Sequence, residues 1–262
     1  MTISLRLAGA LLFLSSIHTL SATPLLFVNY NPAQTQFAQT RAEALGLSYS
    51  TIADYTSASQ LAGKSVVVMP GFSSYSSLLS QVSILSDFVR AGGYLWLNVA
   101  GGGCATDFAP GGVDFLQYSC GGSYNQSEQI VNPAHAYVQG SFDPRAKQLT
   151  AADFMNWNVV DLGHVSGLPA NPTVITANPQ GATLAEYSYG QGWVVVSTLT
   201  YGWGDNGARG NPMDNMLLYA AGQIRSQGAP GGSGVDAPEP GTLLLMFSAV
   251  LYSATMLRKR HA

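Results

Sequence analysis

Charge is scarce in this sequence. Only 10% of its 262 residues are Asp, Glu, Lys or Arg, and no basic cluster interrupts the stretch between Thr23 and Ala237. That stretch holds seven Lys or Arg against thirteen Asp or Glu, a net charge near −6. Without a cationic patch to meet phosphates, the chain is not expected to bind nucleic acid. Histidine is as thin: His18 and His261 lie in the terminal segments, and His135 and His164 show no ligand spacing, so no metal centre is expected. The Asp205-Asn206-Gly207 segment, with Asp214 nearby, offers oxygen ligands for Ca²⁺ but lacks the alternation of an EF-hand loop; it reads as a solvated turn. Gly-x-Ser-x-Gly is absent, and the glycines at 101 to 103 have no following Lys-Ser/Thr to complete a phosphate loop. No cofactor is implied.

Ser, Thr, Asn, Gln and Gly are plentiful instead, so the surface is expected to be neutral and polar, a character suited to an extracellular matrix. The termini agree with export. Arg6, an apolar run from Leu7 to Leu14 and small residues around Ser21 and Ala22 have the order of a secretory signal over residues 1–22, too short to span a bilayer. At the other end, Gly241 to Leu257 is uncharged; its 17 residues would extend about 25 Å as a helix, enough for a thin hydrocarbon core. Arg258, Lys259 and Arg260 follow, which places that end on the cytoplasmic side and the preceding domain outside. A Gly-rich linker, residues 228–237, separates this tail from residues 23–227.

The central region has the length of one α/β domain. Strands are expected at Leu25–Tyr30, Leu47–Ile52, Ser65–Met69 and Tyr94–Val99. A helix capped by Asn31 before Pro32 should close at Gly46, and a second, from about Ser77 to Ala91, should stop at Gly92-Gly93. Further strands are expected at Phe154–Val160, Thr173–Ala177, Leu184–Tyr189 and Trp193–Leu199, the last two joined at Gly190-Gln191-Gly192, with a final helix from Pro212 to Ser226. This order predicts a doubly wound, mostly parallel sheet with helices on both faces and a ligand edge at the strand C-termini.

Pro238-Glu239-Pro240, the apolar span and the Arg-rich end together resemble the PEP-CTERM sorting signal over residues 238–262. That resemblance implies handling by an exosortase of a Gram-negative, exopolysaccharide-producing bacterium, with the helix at 241–257 holding the chain in the membrane before sorting to the cell surface or matrix. The strand into Met69-Pro70-Gly71, the helix end Phe88-Val89-Arg90-Ala91-Gly92-Gly93 and the strand Tyr94-Leu95-Trp96-Leu97 resemble the class I glutamine amidotransferase-like superfold. Asn132-Pro133-Ala134-His135 and Gly190-Gln191-Gly192-Trp193-Val194-Val195 resemble segments of its noncatalytic members.

Amidotransferase chemistry needs a cysteine on a strained turn at the strand end, activated by a polarised histidine. Here Cys104 comes several residues after the strand and is followed by Ala-Thr, and the expected His-x-Glu is missing. A noncatalytic domain that binds polysaccharide or protein is therefore expected; the alternative is an extracellular cysteine-dependent hydrolase or amidase using Cys104 and His164. Aromatic residues near the last strands (Tyr187, Tyr189, Trp193, Tyr201 and Trp203, with Trp157) are candidates for stacking on sugars beside Asp205, although strand alternation sends about half of them to the core.

Cys104 and Cys120 are the only cysteines, and they enclose a Gly-rich segment. Outside the cell their pairing would pin that segment, contributing ~3 kcal/mol in the chain-entropy model. Alkylation of the exported protein without reduction should therefore leave its mass unchanged, whereas alkylation after reduction should modify both cysteines. A readily alkylated Cys104 in the unreduced protein would restore the hydrolase reading.

Overall fold

The computed structural model describes residues 25–61, 66–71, 81–99, 104–117, 128–155, 161–201 and 210–227. The expected signal, linker and sorting tail lie outside these residues. Among the described residues, no helix is long and apolar enough to cross a membrane.

The core begins with four strands that read as continuous apolar runs: β1 (Leu25–Val28), β3 (Val66–Met69), β4 (Tyr94–Asn98) and β11 (Gly192–Ser197). Such runs suit strands covered on both faces. With the more exposed β2 (Tyr49–Ile52) at the edge, they form a parallel array in the order β2-β1-β3-β4-β11. One face is covered by α1 (Pro32–Ala44) and α4 (Gly210–Gln227), and the other by α2 (Val82–Arg90). Alternation assigns the side chains: Leu25, Phe27, Val66, Val68, Tyr94 and Trp96 face α1 and α4, while Leu26, Val28, Val67, Met69, Leu95 and Leu97 face the α2 layer.

The remaining six strands correct the expectation of a mostly parallel sheet. The fold is mixed α/β. Antiparallel partners continue the sheet beyond β11 as β10 (Gly181–Tyr189), β8 (Gly163–Ser166), β6 (Val113–Gln117) and β5 (Ala105–Ala109), while β9 (Thr173–Asn178) pairs with β10 and β7 (Gln129–Ile130). Short turns impose this: hairpins join β5 to β6 and β10 to β11, and a connection that short can only reverse the chain. Two more corrections are local. The Gly-rich segment after β4 carries the β5–β6 hairpin, and Phe154 ends a 3-10 turn (Ala151–Phe154) where Thr150 and Asp153 cap each other, in place of starting a strand. The rest of that expected strand, residues 156–160, lies outside the described residues.

Helix α1 has the expected start, with Asn31 Oδ1 accepting from the Gln34 amide at 3.3 Å, and its end is marked by Gly46 at φ +64°. Its buried face is Gln34, Thr35, Ala38 and Ala42, with Phe37 and Leu45 packed beside them, and Arg41 pairs with Asp214 of α4 (Nε to Oδ1, 2.7 Å).

The end of α2 is seated on the β10–β11 turn. Gln191 donates to the Arg90 carbonyl and Trp193 to the Gly93 carbonyl, each at 3.2 Å. A Cβ at residue 192 would overlap the carbonyl oxygens of Gly93 and Val89, so glycine is required for this close approach. Gly192→Ala should therefore cost about 2 kcal/mol or more through overpacking, measured as a lower urea midpoint at unchanged m-value; an unshifted midpoint would show that the seat is not needed.

Candidate functional site

In open α/β sheets the ligand edge lies outside the strand C-termini, where neighbouring strands diverge in chain order. Here β2 and β3 flank β1 on opposite sides, so the divergence falls between β1 and β3. Three neutral amides are among the described residues delivered there, and near them Asp54, two residues after β2, accepts from Tyr30 Oη at 2.6 Å and from Gln81 Nε2 at 3.1 Å. Asn29 follows β1; Gln34, 5% exposed, comes from the first turn of α1; Asn98 ends β4, fully buried, and donates Nδ2 to the Pro70 carbonyl beyond β3 at 2.7 Å. Gly71 gives Gln34 its space, since any Cβ at that position would overlap the Gln34 amide. Asn29 Oδ1, Gln34 Oε1 and Asn98 Oδ1 are buried acceptors without a hydrogen-bond partner. Three such oxygens along one edge are costly, at roughly 1–3 kcal/mol each. Buried polar groups without partners are uncommon in folded proteins, which singles out this edge as the candidate site.

Next to this edge the sheet forks. Over most of its length β10 pairs with β11, from Tyr189↔Gly192 to Leu184↔Ser197, but at Ala182 its partner is Val165 of β8. Thr198 marks the change: its amide donates to the Thr183 carbonyl at 2.8 Å and its hydroxyl to the Gly163 carbonyl at 2.9 Å. Asp161, bridged to Leu199, accepts on Oδ1 from the Gly163 amide at 3.0 Å and from Asn178 Nδ2 at 3.1 Å. Glu128 enters from the segment before β7 and accepts from Thr183 Oγ1; Thr176 Oγ1 and Thr183 Oγ1 are 2.9 Å apart. Burial, reinforced by the Asp161 charge, pushes the Glu128 carboxyl up to about 9.

A third polar group lies between α4 and the sheet. His135 is the N-cap of the short helix α3 (Ala136–Gln139): its Nδ1 accepts from the Tyr137 amide at 3.2 Å, which leaves Nε2 to face Glu186 Oε2 at 3.8 Å. Tyr219 donates to that same Glu186 oxygen at 3.0 Å, and its ring is 5.5 Å from the imidazole. Desolvation raises the Glu186 carboxyl to about 7 and lowers the His135 imidazole.

The residues singled out by sequence are not brought together. Cys104 is disulfide-bonded and stands immediately before β5; Cys120 lies outside the described residues. Continuing the β5–β6–β8 register sets Cys104 level with Leu116, which pairs with His164. Leu116 thus stands between the two candidate catalytic residues, whose strands are about 10 Å apart. His164 packs on Gly181, where a Cβ would come within 2.7 Å of its ring, and burial lowers its pKa. Among the sugar-stacking candidates, Tyr201 is fully buried with its hydroxyl 3.3 Å from that of Tyr137, and Tyr187 is buried in the opposite layer, donating to the Pro110 carbonyl at 2.7 Å. Trp157, Trp203 and Asp205 lie outside the described residues, as do Pro238, Glu239, Pro240, Arg258, Lys259 and Arg260. Asp214, weighed as a Ca²⁺ ligand, is the partner of Arg41.

Sequence reasoning passed over Asn98, Glu128, Asp161 and Glu186. One signal was available. In so uncharged a chain, a glutamate inside the apolar run Leu184-Ala185-Glu186-Tyr187 marks a carboxyl carried into the interior.

No protein-family model matches the chain, and no curated protein matches it. Solved structures do share its fold. One is a protein of Thermoplasma acidophilum named as a candidate GMP synthase component, 10% identical, with a TM-score of 0.52 over 79% of this chain and 98% of that one. Another is a cytoplasmic protein of Salmonella typhimurium, 13% identical, with a TM-score of 0.50 over 75% of this chain and 98% of the other. At these identities the likeness is one of fold alone.

The Glu186 carboxyl gives a signed prediction. Its folded pKa, about 7, stands above the ordinary 4.5, so its contribution to stability is complete below pH 4.5 and lost as pH rises through 7. His135, lowered, acts in the opposite sense, destabilising as pH falls below 6.5. The stability difference between wild type and Glu186→Gln, from urea titrations, should fall by roughly 3 kcal/mol at most between pH 4.5 and 8. A flat difference would mean that the carboxyl is solvated.

Proposed function

We propose that the chain is an exported, exosortase-sorted surface or matrix protein whose α/β domain binds a hydroxyl-rich ligand, an exopolysaccharide above all, and carries out no chemistry on it. The observation that carries this reading is the composition of the sheet's ligand edge. Where an amidotransferase-like enzyme needs a nucleophile on the turn after β4, the sequence has Ala100-Gly101-Gly102-Gly103, which supplies none. The sulfur that sequence offered as a substitute is held in a disulfide. Among the described residues the edge carries the amides of Asn29, Gln34 and Asn98, whose buried, unpartnered oxygens are of the kind that match the O–H donors of a neutral sugar. The termini support the same reading through the order of signal, Pro-Glu-Pro, apolar span and basic end.

Two outcomes follow. Asn98→Ala should weaken retention of the domain on the producing cell's purified exopolysaccharide by about tenfold, as expected for losing one or two hydrogen bonds. Replacing Pro238-Glu239-Pro240 with alanines should leave the chain in the membrane fraction instead of at the surface or in the medium. Unchanged retention would remove the edge from the account, and unchanged sorting would reduce the tail to a plain anchor.

A further inference from the structure

Beside the amide edge stands a carboxylate that is fastened through one oxygen and open at the other. Tyr30 directly follows Asn29, and its hydroxyl donates to Asp54 Oδ1 at 2.6 Å. The Tyr55 amide gives that oxygen a second hydrogen bond at 2.7 Å, and Gln81 Nε2, at the start of α2, a third at 3.1 Å. One oxygen is thus held from the end of β1, from the chain after β2 and from α2. Asp54 itself is exposed, and among the described residues its Oδ2 receives no donor.

The fastening alone does not call for a charge. An asparagine would accept the same three hydrogen bonds through its own Oδ1. With the acid, the donation from Tyr30 holds the carboxyl below its ordinary range, so Asp54 is ionised at neutral pH. Nothing beside it offsets that charge among the described residues: the guanidinium groups of Arg41, Arg90 and Arg145 are engaged by Asp214, Asp87 and Asp143. The stretch from Thr23 to Ala237 adds a net charge near −6 around it. A mobile aspartate could swing away from an approaching anion. This one is pinned, and its repulsion persists.

We propose that Asp54 selects the ligand by charge: Oδ2 accepts a hydroxyl of an uncharged saccharide bound at the neighbouring edge, and the fixed carboxylate turns away saccharides that carry carboxylates of their own. Hydrogen bonds to an ionised acceptor are about twice as strong as those between neutral groups, and here no ordering of the side chain has to be supplied on binding. Discrimination against anionic chains comes from placing like charges together. The inference rests on the reading of the edge as a saccharide site.

The test measures binding of the full chain in mild detergent by calorimetry at about 20 mM salt, where charges are weakly screened. The probes are uncharged oligosaccharides cut from the producing cell's exopolysaccharide, and the same oligosaccharides with their primary hydroxyls oxidised to carboxylates. Wild type should bind the uncharged form about tenfold or more tightly than the oxidised form, and about 500 mM salt should narrow that gap severalfold. Asp54→Asn, which keeps the three bonds to Oδ1, should weaken binding of the uncharged form and strengthen binding of the oxidised form, so that the two differ by about twofold at most. Tyr30→Phe, which frees the carboxylate but leaves its charge, should weaken the uncharged form and preserve the sign of the preference. Equal wild-type affinities, or a gap that Asp54→Asn leaves unchanged, would overturn the role of Asp54 and leave the edge as a saccharide site. Binding of neither form would overturn both.

Discussion

The structure depends on how one strand changes partners. β10 leaves β11 at Thr183 and meets β8 at Ala182, and a change of partner inside a buried sheet exposes backbone groups to a dry interior. Asp161, Asn178 and Thr198 supply the missing partners from side chains. The antiparallel half of the sheet, including the β5–β6 hairpin that follows the disulfide-bonded Cys104, is attached to the parallel half through this junction. Carboxyls that could have served chemistry at the strand ends are committed there to holding two halves of a sheet together.

Glu128 and Asp161 face inward at the fork, Asp214 is tied to Arg41, and Glu186 is paired with Tyr219 beneath α4. Among the described residues, the strand ends between β1 and β4 carry the amides of Asn29, Gln34 and Asn98, with Asp54 held nearby by Tyr30 and Gln81. Amides of this kind orient a ligand through hydrogen bonds but neither donate a proton to a leaving group nor attack a carbonyl, which is the ground for proposing recognition at this edge.

The parallel half was legible in the sequence because its signals are local and redundant. Asn31-Pro32 announces a helix start, Gly46 a helix end, and unbroken apolar runs such as Val66–Met69 announce strands buried on both faces. The antiparallel half was less legible. β7 has only two residues, β5 and β6 lie inside a Gly-rich segment, and their stability comes from tertiary pairing that leaves a faint imprint on composition. The candidate site was harder still. The aromatic residues that looked like a sugar platform alternate along the hairpin, so that Tyr187 is sent into one core layer; Tyr201, beyond it, is buried in the other. The amides that line the edge are residues that sequence reading assigns to caps and turns.

The central claim is that the neutral edge between β1 and β4 receives the ligand. Its most direct measurement is the response of the Asn29, Gln34 and Asn98 side-chain NH₂ resonances to added exopolysaccharide fragments. The account predicts that these three shift together and saturate at one ligand concentration. Saturable shifts confined to other residues, with these three unmoved, would contradict it.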